Sequence, residues 1–368
     1  MSFSRIRFVS YRNLEDAEIN TAADRVFLIG ENGQGKTNLL EALYYLSFGG
    51  SFRGHVDSQI PANGAKSFGL KGYWNNNSIL EDEIEVSVQN SVKDIRLNGR
   101  PVRDRKELVG HNPSVVFCHE DFSFAAGEPE LRRFFFDQCA GMISLDYIDI
   151  LRAYRRVLKQ RNAALKESAY DLLDVLDPQF VRYGRELMAI REVIFSRFQQ
   201  QFPQLYEHVS QLGKPVELEY SPNWQQGANF EEILQFVESI RDIEIIQGTT
   251  RSGPHRDRWN FICKGKSFTD TASTGQLRLV SLILRVVEAN VYAETVAAQT
   301  GIRQWPVLLL DDVLLELDVG KRRRFLELLP REREGTQAFF TFLPGEPWTE
   351  YASSDTLVYR VNHGRFEG

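Results

Sequence analysis

The chain has 368 residues, 42% hydrophobic, 12% aromatic and 26% charged, with 44 Lys and Arg against 50 Asp and Glu. That balance excludes a disordered, collagenous or membrane-embedded protein, and the length predicts two or three domains. A net charge of −6 also excludes a surface that attracts polyanions everywhere, so any nucleic-acid contact must rest on a local patch.

Ile6 and Phe8 begin an alternation that continues to Ile19 and predicts two short strands. The apolar run 26–29 predicts a buried strand ending at Gly30. Leu39, Leu40, Leu43 and Leu46 then recur at helical spacing until Gly49-Gly50. From about Ser67 to Val102 the pattern is antiparallel, and Asn98-Gly99 predicts a type I′ hairpin turn. Residues 114–117 predict another buried strand. From about Leu131 to Ser210 the pattern is helical: Tyr147, Leu151, Tyr154, Leu158 and Leu165 keep a rhythm that lapses only at Arg161. A further helical stretch over 183–202 is expected to break at Pro203. After a loop-rich stretch come a helix over 230–240, strands beyond Gly248, and a second strongly apolar strand over 306–310. The predicted organisation is a mixed α/β unit built from both chain ends (1–122 and 249–368) with a mostly helical insertion, 123–248.

Cys118, Cys139 and Cys263 are far apart and odd in number, which predicts neither a disulfide framework nor a zinc site. The N-terminal stretch is charged every few residues and lacks an apolar core, so no secretory leader is expected. No run reaches the ~18 apolar residues of a membrane span. A cytoplasmic, nucleoid-associated protein without a membrane partner is expected.

Gly30, Glu31, Asn32, Gly33, Gln34, Gly35, Lys36 and Thr37 fit GxxxxGK[ST], between an apolar strand and an amphipathic helix. In such a loop backbone N–H groups close around phosphate oxygens, and the helix N-terminus adds positive partial charge. Lys36 would reach the β/γ-phosphates and the Thr37 hydroxyl would ligate Mg²⁺. The strand over 306–310 ends in Asp311-Asp312. Asp311 is placed to hold the same Mg²⁺, and Asp312 to orient or deprotonate the attacking water. Together the two motifs predict a nucleoside triphosphate site.

Ser273-Thr274-Gly275-Gln276 precedes a long helix, about 35 residues before Asp311, and Leu315-Glu316-Leu317-Asp318 comes after Asp311. This order resembles the ATP-binding-cassette layout. It implies that Ser273, Gly275 and Gln276 of one copy complete the phosphate site of another. The run Gly35-Lys36-Thr37-Asn38-Leu39-Leu40-Glu41-Ala42-Leu43 resembles the RecF/SMC branch of those ATPases, and adds Asn38 to the nucleotide-binding set. Within that branch the chain resembles the RecF family at Ser51-Phe52-Arg53, Leu97-Asn98-Gly99, residues 127–133 with Asp137, Tyr154 with residues 159–162, and Gly253-Pro254-His255-Arg256-Asp257. The fold implied is α/β: an ABC-type P-loop ATPase head with a mixed sheet, flanking helices and an antiparallel β subdomain, carrying a mostly helical inserted lobe. The resemblance also implies an ATP-dependent homodimer with weak DNA-dependent ATPase activity. Its DNA would be duplex or gapped, and its partners RecO and RecR in loading RecA.

Two positions depart from the family pattern. Arg258 stands where members often carry Asp, and the strand over 337–342 ends in Thr341-Phe342, with no histidine where transporter cassettes place one. That lack argues against one alternative, a transporter-energising subunit. A second, a chromosome-tethering head, needs long heptads, whereas Pro178 and Pro203 interrupt the insertion.

Residues 152–166 hold six basic side chains and no acid. Read as a helix, Arg152, Arg155, Arg156 and Lys159 form a stripe, either a phosphate track or a solvated face paired with acids such as Asp171 and Asp174. Arg96, Arg100, Arg103, Arg105 and Lys106 form a second basic cluster, and Lys321–Arg324 a third that is expected to be solvated. His255 is read either as a nucleotide contact or as a structural turn residue.

Overall fold

The computed structural model describes residues 2–75, 81–330 and 335–368; residues 76–80, within the antiparallel stretch read from sequence, lie outside the described residues. The chain opens on strands β1 (Ser2–Val9), β2 (Ala17–Asn20) and β3 (Arg25–Ile29), followed by helix α1 (Lys36–Phe48). Strands β4 (Ser67–Asn75), β5 (Asp82–Gln89), β6 (Val92–Leu97) and β7 (Arg100–Pro101) lead through α2 (Lys106–His111) to β8 (Ser114–Phe117). Helices α3 (Phe122–Ala126), α4 (Pro129–Ile143), α5 (Leu145–Lys166) and α6 (Leu173–Ser210) come next, then β9 (Glu217–Ser221), α7 (Phe230–Ser239) and α8 (Arg241–Gln247). After β10 (Arg258–Cys263) and β11 (Lys266–Ser267) runs the long helix α9 (Thr274–Thr300). The chain ends with β12 (Val307–Leu310), α10 (Val319–Leu328), β13 (Ala338–Phe342), β14 (Thr356–Asn362) and β15 (Arg365–Glu367).

Residues 1–121 and 285–368 make one compact unit, the head, and 122–284 another, the lobe. In the head, β3, β8, β12, β13 and β14 pair in parallel in the order β14-β3-β13-β12-β8, with β15 antiparallel at the edge. The second sheet, β2-β1-β4-β5-β6-β7, is antiparallel. Its Asn98 and Gly99 both take positive φ (51° and 75°), as a type I′ turn requires. Helix α1 contributes Leu39, Leu40, Leu43 and Leu46 to a core that also takes Phe3, Ile6 and Phe8 from one sheet and Leu28, Leu309 and Phe339 from the other. Buried on both sides, α1 is held where its N-terminus meets the C-terminal end of β3.

In the lobe, α6 runs unbroken through both Pro178 and Pro203, so the break expected at Pro203 does not occur. A proline inside a helix costs about 3 kcal/mol. Phe202, Tyr206 and Val209, all fully buried, offset that cost at ~1.5–3 kcal/mol each. Phe202 packs on Phe261 and Tyr206 on Phe268. The boundary expected at 248/249 also moves. Strand β10 pairs with β9 from Arg258↔Ser221 to Ile262↔Glu217, and Trp259 stacks on Phe136 of α4 at 4.8 Å. Residues 249–284 therefore belong to the lobe. Among the described residues no helix is long and apolar enough to cross a membrane.

Candidate functional site

Strand β3 is buried along Val26–Ile29 and delivers the chain into the glycine-rich loop at Gly30. A Cβ on Gly30 would lie 2.4 Å from the carbonyl oxygen of Val361, so packing against β14 alone demands glycine here. Gly35 caps α1 with φ 117°, a conformation side chains rarely adopt, and a Cβ would meet Leu14 at 2.7 Å. Polar side chains fix the loop from outside. Asn13 Nδ2 donates to the Gly33 carbonyl at 2.8 Å, and Asn38 Nδ2 donates to Asn13 Oδ1 at 2.7 Å. The His363 N–H donates to Gln34 Oε1 at 2.6 Å. Gln34 and Asn38 thus use their side chains to shape the loop, leaving backbone N–H groups for an anion.

The Lys36 ammonium is curled into the loop, donating to the carbonyls of Gly30 (2.5 Å) and Glu31 (3.1 Å). A cleft of about 590 Å³ opens over residues 31–38, with Arg12, Arg53 and Asp312 on its walls. Sequence reasoning missed Arg12 and Arg53, because their anchors lie elsewhere. Arg12 forks onto the fully buried Glu41 through Nε (2.8 Å) and Nη2 (2.7 Å). Burial opposes ionisation of Glu41, but hydrogen bonds from Arg12 and Ser51 prevail and hold its pKa below the ordinary value.

Strand β12 brings Asp311 to the same place. Thr37 Oγ1 donates to Asp311 Oδ1 at 2.8 Å. Burial first, then the neighbouring Asp312 charge, lift the Asp311 pKa to about 6 against hydrogen bonds from Thr37 and Thr341. A hydroxyl facing a buried carboxylate short of positive charge is a donor set that fits Mg²⁺, which takes one or two carboxylates and completes its octahedron with phosphate oxygens and water. Asp312 adopts φ 51°, ψ 21°, a left-handed conformation that Asp tolerates. Its N–H donates to Thr341 Oγ1 at 2.8 Å. The single Thr341 hydroxyl proton faces two acceptors, Asp312 Oδ1 at 2.8 Å and Asp311 Oδ1 at 3.2 Å. Thr341, noted in the sequence only for what it replaces, thus sets the orientation of both carboxylates.

Lys36, Thr37, Asp311 and Asp312 therefore meet in the head, whereas Ser273, Gly275 and Gln276 belong to the lobe. There Ser273 caps α9 reciprocally with Gln276. The Ser273 N–H donates to Gln276 Oε1 at 2.8 Å, and the Gln276 N–H to Ser273 Oγ at 3.3 Å. Ser273 and Gly275 are exposed at the start of this long helix.

The basic stripe of α5 divides. Arg161 is fully buried, bonded to Asp177 at 2.7 Å and Thr250 at 2.8 Å, and lies 2.6 Å from Glu244. It is a structural cation, apart from the stripe of Arg152, Arg155, Arg156 and Lys159, and its partners are neither Asp171 nor Asp174. Arg155 pairs with Asp137 at 2.9 Å, while Arg156 and Lys159 are exposed. In the head, Arg96 pairs with Asp94, and Arg100, Arg103 and Arg105 are exposed. On α10, Lys321 pairs with Asp318 and Arg323 with Glu327.

His255 is held as a structural residue. Nδ1 accepts from the Tyr154 hydroxyl at 2.7 Å, and Nε2 faces the Thr250 carbonyl at 3.3 Å. Burial, together with Arg256, Arg133 and Arg161, lowers its pKa to about 4. Between pH 6.5 and 4 the unfolded chain binds a proton there that the folded lobe refuses, so stability falls as pH falls through that window. Urea melts at pH 7 and 4.5 should show roughly 2–3 kcal/mol of loss from this group, absent in His255→Gln. An equal acid loss in the variant would assign the effect elsewhere.

The chain matches the family described as RecF/RecN/SMC N terminal domain over residues 2–364. It is 38% identical to the DNA replication and repair protein RecF of Treponema pallidum (strain Nichols), over 97% of this chain and 98% of the relative. A solved structure of the recombination mediator protein RecF of the RecFOR pathway, with ATP, superposes at TM-score 0.84 with 26% identity, over 100% of this chain and 97% of that one. An SMC head bound to the C-winged helix domain of ScpA shares the fold at TM-score 0.57 and 14% identity, over 100% of this chain and 97% of that one. The head is thus an ATPase head of RecF/SMC type, and the chain belongs to the RecF family.

Proposed function

We propose that this protein is an ATP-dependent DNA-binding factor of recombinational repair and replication maintenance. The observation that carries the nucleotide part is the 2.8 Å approach of Thr37 Oγ1 to Asp311, beside a lysine already turned into a phosphate-sized loop. Lys36 and the loop N–H groups bind and neutralise the phosphates of the substrate. Thr37 and Asp311 would hold Mg²⁺, whose contribution when bound is to screen charge on the β- and γ-oxygens. Asp312, fixed by Thr341, orients the attacking water and accepts its proton.

Two copies close face to face on two ATP molecules, each site using Lys36, Thr37, Asp311 and Asp312 of one chain with Ser273, Gly275 and the backbone at Gln276 of the other. A serine hydroxyl and N–H groups at the start of a long helix suit a γ-phosphate. Closure switches DNA binding on, and slow hydrolysis, stimulated by DNA, switches it off. The relatives' names, a DNA replication and repair protein and a mediator of the RecFOR pathway, support the repair reading; within it the protein acts at gapped or stalled sites on cytoplasmic DNA, with RecO and RecR as partners in loading RecA.

Ser273→Arg tests the shared site. The variant should bind ATP as the parent does, since its own loop is untouched, yet stay monomeric in light scattering with saturating ATP and Mg²⁺. An ATP-dependent dimer of this variant would remove Ser273 from the partner's site.

A further inference from the structure

The motif around His255 also places charged side chains in the lobe that nothing above uses. Arg256 and Arg258 flank the buried Asp257, and both are exposed. With Arg133 of α4 and Arg251 they line a cleft of about 850 Å³. Arg251 and Arg258 make no side-chain ion pair or hydrogen bond among the described residues. Among the described residues the Arg256 side chain donates only to the Thr250 carbonyl, at 3.3 Å. The opposing acids are Glu128 and Glu130, at the start of α4. Glu130 lies 3.8 Å from Arg133, at the edge of ion-pair range. Four guanidinium groups thus face two carboxylates in one concavity of a chain whose net charge is −6. The crowding registers on Arg133: burial first, and then Arg256 and Arg191, hold its pKa below the ordinary value.

A second cleft, of about 400 Å³, shares Glu130, Arg133 and Arg256 with the first, so the two form one groove. It adds Arg155 from the stripe of α5, and Phe134, which is 52% exposed. Guanidinium forks match phosphate geometry. Lining two adjoining clefts rather than a single one, they suit a chain of phosphates better than one phosphate. A large aromatic left in water beside them is what a sequence-tolerant single-strand site provides, as a surface for base stacking. An acidic peptide would use the cations but has no need of that ring.

We propose that this groove, walled by Arg133, Arg251, Arg256 and Arg258 and continued by Arg155 and Phe134, binds the backbone of single-stranded nucleic acid. The inference rests on the DNA-binding reading above and names its site: the contact is made by the guanidinium groups of Arg251, Arg256 and Arg258, which with Arg133 outnumber the Glu128 and Glu130 carboxylates of the same cleft.

The test is fluorescence anisotropy with the full chain, ATP and Mg²⁺, on an oligo-dT strand and a duplex of equal length, across a salt series. Arg251→Gln with Arg258→Gln should weaken single-strand binding roughly tenfold and flatten the slope of log K against log salt by about 1.4, at 0.7 per phosphate contact. Phe134→Ala should weaken the single strand about tenfold and leave the slope unchanged. Unchanged affinity and slope in both variants, with the parent still binding, would overturn the groove while leaving DNA binding to the α5 stripe or the head hairpin. A parent that binds neither DNA would end both readings. Polyglutamate competing as well as oligo-dT would reassign the groove to an acidic protein partner. Equal loss on duplex with Phe134→Ala silent would overturn the single-strand assignment.

Discussion

An Asp312→Asn variant is expected to bind ATP as tightly as the parent and to turn it over at least a hundredfold more slowly, the usual scale for loss of a general base. Asn tolerates the left-handed conformation at this position as Asp does. Its side-chain oxygen can still accept from Thr341, and its N–H still donates to the same hydroxyl. Only the negative charge is lost. Asp311 then sheds the like-charge neighbour that, after burial, raises its pKa, so binding of the divalent cation should persist to lower pH. Closure without hydrolysis should trap the dimer in light scattering. Lys36→Met provides the contrast, since the buried stem of Lys36 is replaced by one of similar length and the ammonium is gone. It should lose nucleotide binding, and with it the dimer. If Asp312→Asn hydrolysed ATP at the parental rate, the water-activating group would have to be sought elsewhere. If it stayed monomeric with saturating ATP, the sandwich would fail.

Much of this site was legible because its parts are local. The loop, its flanking strand and helix, and the Asp-Asp strand end each follow from a few consecutive residues, and the Asn98-Gly99 turn is decided by two. What sequence could not reach depends on partners far along the chain. Gly30 is required by a carbonyl at Val361, and Arg12 is aimed by Glu41 inside a helix whose leucines alone were readable. The hydroxyl of Thr341 meets Asp312 across neighbouring parallel strands. Pro203 shows the same limit from the other side. Local propensity calls for a break, and aromatic packing from β10 overrides it. The lobe boundary moved because pairing between β9 and β10 carries no signature until both strands are placed together.

The lapse of the α5 rhythm at Arg161 makes the remaining case, and it carries the second large effect. Read as charge, Arg161 belongs to the six-cation run over 152–166; read as periodicity, it stands on the apolar face. The structure decides for the face, because Asp177 and Glu244 are buried there with it, each fully excluded from water. The Arg161 guanidinium also lies 5.3 Å from the ring centre of Phe180, which packs edge-on against Trp224. Arg161→Met keeps much of the volume but leaves the carboxylates short of charge. Asp177 retains Arg241 at 2.8 Å, whereas among the described residues the Glu244 side chain keeps only the Arg251 backbone N–H at 2.6 Å. Removing one partner from a buried ion pair costs about 3–5 kcal/mol. Urea unfolding at pH 8, followed by tryptophan fluorescence, should show that loss. Arg156→Met, five residues earlier on the same helix and exposed, should leave stability within about 0.5 kcal/mol of the parent. Equal stability of the two variants would mean that the buried pair contributes no more than a solvated charge. A loss confined to Arg161→Met would show that a six-cation run on one helix serves two purposes, one inside the lobe and one at its surface.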